Sequence, residues 1–457
     1  MMSFYNTLNK KQEDFHPIHE GHVGMYSCGP TVYWFAHIGN LRAYLFVDVL
    51  RRVLELNGFE VKHIMNITDV GHLTDDADEG DDKMILAIKR EGKTAFDIAE
   101  FYTQAFFKDL DRLNILRADN YPKATEHIQE QIELIQKLEQ KGFTYQTSDG
   151  IYFDTEQFSE YGRLSSQKAE EKQAGVRVEM GEKKHVTDFA LWKFSPKGVK
   201  REMEWESPWG IGFPGWHIEC SAMSKKYLGI PFDIHTGGID HIAVHHENEI
   251  AQTFGAEGKL EANFWLHNEF ITVDGGKMSK SLGNIFTIQD LIDKGFDPLA
   301  FRYLCLSSHY RTNFNFTFES LTAAQNALKR LQNIVGEWDD LKEEGGFKFE
   351  QKFMESIDDD LNTPQALAVL WNVINSEESI GVKKYLVNKI DCVLGLGLME
   401  RIQIKTEIPI KIKKMIDARE IARTEKDWLM SDQLREELLA NGYLVEDTSE
   451  GQKVKKV

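Results

Sequence analysis

The stretch Val23-Gly24-Met25-Tyr26-Ser27 is a short apolar run that predicts a buried β-strand. Residues 39–56 follow with apolar side chains at helical spacing, namely Leu45, Phe46, Val49, Leu50, Val53 and Leu54. Residues 60–67 predict a second strand. This strand–helix–strand order favours an α/β fold with a parallel, doubly wound, Rossmann-like sheet. Ligands of such sheets bind beyond the carboxyl ends of the strands, where Cys28 and residues 66–69 are expected.

The composition indicates a soluble, globular chain. Of its 457 residues, 42% are hydrophobic and 28% are charged, and no apolar run approaches the roughly 18 residues that a membrane span needs. The first residues lack the basic and apolar regions of a signal peptide. We therefore expect a cytoplasmic monomer that has no contact with membranes.

Four cysteines in a chain of this size do not form a disulfide framework. Cys305 and Cys392 both lie in apolar helical context. We interpret these two as small buried apolar residues.

The pattern along the chain predicts five segments. Residues 120–205 interrupt the α/β pattern with a helix, hairpin-like strands and a polar stretch, and almost everything after residue 293 is predicted to be amphipathic helix. The predicted domains are 1–119 (first half of the Rossmann-like domain), 120–205 (connective insertion), 206–292 (second half of the Rossmann-like domain), 293–410 (helical bundle) and 411–457 (small carboxyl-terminal unit).

The charge distribution bears on nucleic-acid binding. A net charge of −19 argues against binding over the whole surface. Residues 401–426, however, contain eight Lys or Arg against four Asp or Glu, a local charge of +4. This segment is either a nucleic-acid contact or a solvated helix face, and the charge count alone does not decide between them.

A set of four residues offers side chains that are typical metal ligands. In the run His245-His246-Glu247-Asn248-Glu249, the i, i+4 spacing places His245 and Glu249 on one helical face; His246 and Glu249 at i, i+3 fit as well. With Cys28 and Cys220 they make a mixed set of thiolates, imidazole and carboxylate that suits Zn²⁺ better than Mg²⁺ or Ca²⁺. No spacing rule pairs the two cysteines, and the alternative is that His and Glu are surface residues.

Two further runs of residues suit the binding of a nucleotide. The run His37-Ile38-Gly39-Asn40 lies at the predicted start of the first helix, where free backbone N–H groups and the helix dipole stabilise phosphate oxygens. The run Lys277-Met278-Ser279-Lys280-Ser281 follows two glycines and offers two ammonium groups for the charge of a triphosphate. One run follows the first strand of the sheet and the other its last.

These residues resemble the class I aminoacyl-tRNA synthetases, whose signatures are HIGH and KMSKS, and in particular their cysteine-specific family. The resemblance runs from about residue 4 to residue 446, and the segments that carry it are residues 26–33, 66–69, 215–223 and 245–252. It implies an ATP-dependent ligase that joins L-cysteine to tRNA(Cys) through a cysteinyl-adenylate. It also implies that the Rossmann-like domain is catalytic, that the helical bundle at 293–410 contacts tRNA, and that the small carboxyl-terminal unit binds the anticodon.

The resemblance implies a role for each matching residue. One Zn²⁺ per chain would be held by Cys28, Cys220, His245 and Glu249 and would recognise the substrate thiol, with Mg²⁺ accompanying ATP. The catalytic residues would be His37, Asn40, Lys277 and Lys280. ATP would contact these four together with Gly39, Met278 and Ser279. Cysteine would contact Gly29, Thr31, Thr68, Trp216, His217 and Asp240.

Two departures and three alternatives accompany this prediction. Asn40 replaces the last histidine of HIGH, and an acidic stretch at 70–80, interpreted as a solvated loop, intervenes before Asp81.

Trp428 is either a base-stacking residue or a core anchor. The competing functions are transfer of cysteine to a small amine, a non-catalytic RNA-binding protein, and a zinc hydrolase, although HHENE lacks the HExxH pattern of zinc proteases.

Overall fold

The computed structural model describes residues 2–71, 83–166, 182–196, 198, 201–276, 278, 283–338, 343–399, 410–448 and 451–456. They fall into two compact units, Met1–Leu398 and Met399–Val457. No helix within these ranges is long and apolar enough to cross a lipid bilayer.

The first unit begins with a hairpin of β1 (Ser3–Asn6) and β2 (Lys11–Asp14), followed by β3 (His22–Ser27), α1 (Ile38–Leu56) and β4 (Glu60–Met65). Next come α2 (Lys83–Glu91), α3 (Ala95–Arg112), α4 (Ile128–Gln140), β5 (Thr144–Gln146), β6 (Gly150–Phe153), β7 (Phe189–Phe194) and β8 (Gly212–Pro214). The chain continues through α5 (Trp216–Leu228), β9 (Phe232–Gly238), α6 (His245–Glu257), β10 (Ala262–Asn268) and β11 (Ile271–Val273). The unit ends with α7 (Ile288–Asp293), α8 (Pro298–Leu306), β12 (Phe314–Phe316), α9 (Phe318–Gly336), α10 (Phe347–Asp358), α11 (Thr363–Ile374) and α12 (Ile380–Leu394).

A parallel four-stranded sheet lies at the centre of this unit, in the order β10-β9-β3-β4. The chain leaves β3 through α1 to reach β4 on one side, and leaves β9 through α6 to reach β10 on the other. The strand order therefore reverses between β3 and β9. This confirms the predicted doubly wound α/β class, and it places the expected binding crevice beyond the ends of β3 and β9.

Helix α1 is apolar on more than one face because it lies between other elements. It contacts β4 on one side and α12 on another, and Leu45, Val49 and Val53 are all buried. This explains why its apolar pattern is wider than the stripe of a surface helix.

A second sheet is antiparallel, in the order β5-β6-β7-β8. It lies in the chain between β4 and α5, and every residue of β6 is buried. Strand β8 joins this sheet from beyond residue 205. The boundaries of the five predicted domains stay a prediction.

A short strand lies among the mostly helical elements predicted after residue 293, and the prediction that Cys392 is buried is wrong. Residues Phe314–Phe316 are a strand that pairs in parallel with β11, because a strand partner distant in sequence leaves no helical or strand period to detect. Cys392 is exposed, since it lies on an outer face of α12. Cys305 is buried, as predicted.

A buried ion pair joins α1 to α8. Arg302 and Asp48 are fully buried, with 2.5 Å between Nη2 and Oδ2, and the guanidinium also donates to the carbonyls of Leu113, Asn114 and Leu394. We expect Arg302→Met to lower the free energy of unfolding by about 3–5 kcal/mol, because it removes one of the two arginines that pair with the buried Asp48 carboxylate, the other being Arg52, and also removes the donor to the carbonyls of Leu113 and Leu394. Urea unfolding would measure the loss. Arg117→Ala, which removes the more exposed ion pair with Asp111, should cost less than about 1 kcal/mol, and an equal loss in both variants would contradict this account.

The second unit contains α13 (Ile410–Thr424), α14 (Trp428–Ala440) and a hairpin of β13 (Tyr443–Thr448) and β14 (Gly451–Lys456). Its small core consists of Ile412, Leu438, Tyr443 and Val445. Trp428 is 57% exposed, so its interpretation as a core anchor is wrong.

Candidate active site and metal centre

Three elements meet at the switch point of the parallel sheet and carry the four predicted metal ligands. Cys28 directly follows β3, and its backbone N–H donates to the carbonyl of Thr236 in β9 at 3.2 Å. Cys220 lies in the second turn of α5, while His245 begins α6 and Glu249 follows one turn later. One ligand atom from each of the four lies within 4.8 Å of the other three.

The surroundings of the Glu249 carboxylate indicate that these four residues suit a metal cation. Glu249 is fully buried, and its Oε1 lies 2.9 Å from Nε2 of His245, yet Oε1 has no partner in hydrogen-bonding geometry. A buried carboxylate oxygen without a partner is costly. A cation among these atoms would satisfy it, and two sulfurs, one imidazole and one carboxylate are a donor set that suits zinc.

The protonation of the cluster points the same way. A hydrogen bond from Cys28 lowers the pKa of Cys220 to about 7, while burial raises the pKa of Cys28 well above its usual value. Burial lowers the pKa of His245, but the charge of Glu249 outweighs it and brings that pKa to about 10. Without an ion, the cluster therefore retains protons between its anionic groups. A divalent cation would take their place and release them.

A second set of ligand atoms overlaps the first. Cys28, His235, His246 and Glu249 also lie within 4.8 Å of one another. Nε2 of His246 is 3.2 Å from Sγ of Cys28, and its Nδ1 is 2.7 Å from Nε2 of His267. Both histidines of the HHENE run therefore lie at the cluster. The geometry is compatible with Glu249 sharing an ion either with His245 (i, i+4) or with His246 (i, i+3).

Two of the candidate cysteine-contacting residues, Trp216 and His217, lie beside this cluster. The ring of Trp216 is 4.3 Å from that of His245, and Nδ1 of His217 is 2.9 Å from Nδ1 of His245. Asp240 is exposed in the turn Ile239–His241 that precedes α6.

A hydrogen-bonded chain joins the remaining candidates to α5. Thr31 bridges to Thr68, whose hydroxyl donates to Glu219 at 3.1 Å. The N–H of Gly29 donates to Asn66, and a methyl group added at Gly29 would lie 1.7 Å from the carbonyl oxygen of Asn66. Only glycine fits at this close approach.

The His37-Ile38-Gly39-Asn40 run starts α1 with its own cap. Nδ1 of His37 accepts from the N–H groups of Gly39 (3.1 Å) and Asn40 (3.3 Å), and the N–H of Ile38 donates to Phe286. The expectation that these N–H groups are free for phosphate is therefore wrong, because a side chain and a neighbouring backbone segment already occupy them. An accepting Nδ1 leaves the ring proton on Nε2, which makes that atom a donor.

The two signature runs approach each other. Lys277, Ser279, Lys280 and Ser281 lie outside the described residues, as do residues 72–80 of the acidic stretch, while Met278 is described. A methyl group added at Gly39 would lie 2.5 Å from Cε of Met278. After the loop, Thr287 bridges to His37. The second signature run therefore touches the start of the first helix.

Two further buried residues, His235 and Glu219, contact residues of the candidate site and were not predicted from the sequence. Nε2 of His235 is 2.7 Å from Oε2 of Glu249, and Glu219 accepts from Thr68. His235 lies in the middle of β9, so its position on a buried parallel strand is a signal that was available. Glu219 immediately precedes Cys220 in α5, and nothing in the sequence alone distinguishes it from a surface residue.

The fold and this site define a class I aminoacyl-tRNA synthetase. Residues 14–326 match the family model of the tRNA synthetases class I (C) catalytic domain, residues 352–396 match the DALR domain, and residues 405–454 match the cysteinyl-tRNA ligase anticodon binding domain. A crystal structure of Mycobacterium tuberculosis methionyl-tRNA synthetase bound by methionyl-adenylate shares the fold, with a TM-score of 0.52, 12% identity, and coverage of 84% of this chain and 92% of that one. A second structure of that enzyme in complex with methionyl-adenylate gives a TM-score of 0.54 and 13% identity at the same coverage.

Within that class the chain belongs to the cysteine–tRNA ligase family, whose members are aminoacyl-tRNA synthetases. It is 52% identical to cysteine–tRNA ligase 1 of Burkholderia lata, over 99% of this chain and 96% of that protein. It is 44% identical to cysteine–tRNA ligase of Treponema denticola, over 98% of each.

Proposed function

We propose that this protein joins L-cysteine to tRNA(Cys) in two steps, with a cysteinyl-adenylate as the intermediate. The observation that carries the proposal is the convergence of Cys28, Cys220, His245 and Glu249 on one buried point at the switch of the sheet. The point lies beside the residues proposed to contact cysteine. A thiol substrate is the small molecule that such a donor set distinguishes best.

Selectivity for cysteine follows from this arrangement. A zinc ion held by these four residues would supply a Lewis-acidic centre that favours a thiolate over a neutral hydroxyl. An apolar pocket alone discriminates poorly between substrates that differ by one small group. Trp216 and His217 close the same space and orient the substrate, while Gly29, Thr31, Thr68 and Asp240 lie around it.

ATP would bind at the start of α1. The ring proton on Nε2 of His37, the side-chain amide of Asn40 and the close approach at Gly39 suit a polyphosphate. Lys277 and Lys280 would bring positive charge to the α-phosphate and the leaving pyrophosphate, and Met278 and Ser279 complete the contact. Mg²⁺ would accompany the nucleotide. Catalysis here rests on positioning and electrostatics when the cysteine carboxylate attacks the α-phosphate.

The tRNA would contact the helical region of the first unit and, through its anticodon, the second unit. Residues 405–454 match an anticodon binding domain. This match favours tRNA as the acceptor over a small amine. It also argues against the zinc hydrolase.

Trp428 is the residue of the second unit that we expect to stack on an unpaired base. Its ring is exposed, and Arg423 lies 5.9 Å from the ring centroid. Trp428→Ala should raise the KM for tRNA about 5- to 150-fold, which corresponds to about 1–3 kcal/mol of stacking, and should leave cysteine-dependent ATP–pyrophosphate exchange unchanged. Leu429→Ala, at the neighbouring residue that is 73% exposed, is the matched control. An unchanged KM in the Trp428 variant would contradict the stacking role.

Charging of a tRNA(Cys) transcript with labelled cysteine tests the proposed function directly. We expect ATP-dependent formation of an ester that is labile in mild base. Stable label on a small amine instead of tRNA would favour the amine-transferring alternative. Loss of ATP dependence would refute both.

A further inference from the structure

We propose that Arg42 is a positioning residue for adenylate formation, which holds the strand pair β11–β12 against helix α1. The inference rests on the proposed function and adds a residue to it. Arg42 lies in α1 two residues after Asn40, and it is only 3% exposed.

The guanidinium of Arg42 binds two separate backbone segments. Nη1 donates to the carbonyls of Glu269 (2.8 Å) and Phe270 (2.6 Å), while Nη2 donates to that of Thr312 (2.5 Å). Nη2 also reaches the carbonyls of His309 and Tyr310, at 3.1 and 3.4 Å. One buried cation therefore ties together two chain segments that are about forty residues apart.

These two segments lead into the paired strands. Phe270 immediately precedes β11, and Thr312 lies two residues before β12. The strands pair in parallel from Ile271 with Phe314 to Val273 with Phe316. The guanidinium carbon also lies 4.6 Å from the ring centroid of Phe314. Arg42 thus fixes the amino-terminal ends of both strands.

The other end of the strand pair faces the ATP side of the site. The N–H of Asp274 donates to the carbonyl of Phe316, and that of Gly275 to Oδ1 of Asn315. From there the sequence runs within two residues to Lys277. Because His37 caps the helix that contains Arg42, the orientation of β11 relative to His37 depends on the guanidinium.

Arginine is the residue type that this arrangement needs. Its planar group presents five N–H donors and stays charged when buried, whereas lysine offers three donors from one atom. A lysine at this position can reach one of the two segments, and a methionine can reach neither. Both replacements should release β11 from α1.

Arg302 provides a matched control within the same unit. It is also fully buried and donates to the carbonyls of Leu113, Asn114 and Leu394. Neither those residues nor its ion-pair partner Asp48 belong to β11 or β12. A purely structural role for Arg42 predicts that both arginines behave alike.

The test compares Arg42→Met, Arg42→Lys and Arg302→Lys in cysteine-dependent ATP–pyrophosphate exchange, below the unfolding temperature of each variant. For Arg42→Met we expect kcat to fall roughly 100-fold, the loss typical of a misplaced reacting group, with an unchanged KM for cysteine and unchanged bound zinc. Arg42→Lys should lie between this variant and the unsubstituted protein. Arg302→Lys should lower the thermal midpoint but leave kcat unchanged.

Three results would overturn the inference: an unchanged kcat in a folded Arg42 variant, an equal loss of kcat in Arg302→Lys, or a KM for cysteine that rises as much as kcat falls. If neither Arg42 variant folds, Phe314→Leu removes only the ring beside the guanidinium. A several-fold lower kcat would then support the inference, and an unchanged kcat would overturn it. Absence of exchange in the unsubstituted protein would instead refute the proposed function.

Discussion

Cys220→Ala is expected to lose bound zinc and to lower kcat/KM for cysteine by at least about 1000-fold in ATP–pyrophosphate exchange. Cys220 would supply one of the two sulfur ligands, and its side chain is buried. The hydrogen bond from Cys28 lowers the pKa of Cys220, which favours the thiolate at this position. Loss of one ligand from a four-residue set weakens the metal strongly. The substrate thiol would then compete with water for a site that no longer holds the ion in place.

The matched control is Cys392→Ala, the same substitution at an exposed cysteine. It should retain full zinc content and full activity. Metal analysis of both purified variants, alongside exchange assays over a range of cysteine concentrations, separates loss of the ion from loss of folding. Full activity in a zinc-free Cys220 variant would contradict the assignment.

Lys280→Ala is expected to lower the rate of adenylate formation by roughly 100- to 1000-fold, the effect of removing a preorganised group that stabilises transition-state charge. Cysteine binding should be unchanged, because Lys280 is not among the residues proposed to hold the metal or to contact cysteine. Pre-steady-state measurement of adenylate formation, together with a separate measurement of cysteine binding, tests both halves of this prediction.

Lys259→Ala removes an ammonium group from an exposed position after α6 and serves as the control for surface charge. It should leave both quantities unchanged. A normal exchange rate in Lys280→Ala, or an equal loss in both variants, would refute the role of Lys280.

The fold was predictable where the evidence is local. The apolar run at residues 23–27 and the helical period that follows are properties of single elements, and the parallel sheet follows from their order. The strand Phe314–Phe316 was not predictable in this way, because it exists through pairing with Ile271–Val273. The role of Arg42 was not predictable for a similar reason, since its hydrogen-bond partners are backbone carbonyls of two segments that are distant in sequence.

The site was predictable in part. The spacing of His245 and Glu249 places both on one face of α6, but the spacing of Cys28 and Cys220 says nothing about their proximity. That proximity arises because β3 ends where α5 begins its second turn, and only the family resemblance indicated it in advance. At the start of α1 the local sequence pattern led to a wrong prediction. A helix start normally offers free N–H groups, but here the side chain of His37 accepts hydrogen bonds from two of them.

The most direct test of the central claim measures ATP–pyrophosphate exchange with cysteine and with serine, before and after removal of zinc and again after its return. We predict that chelation abolishes the exchange with cysteine, that added zinc restores it, and that serine supports little exchange at any stage. A metal-free protein that still activates cysteine and still rejects serine would contradict the account.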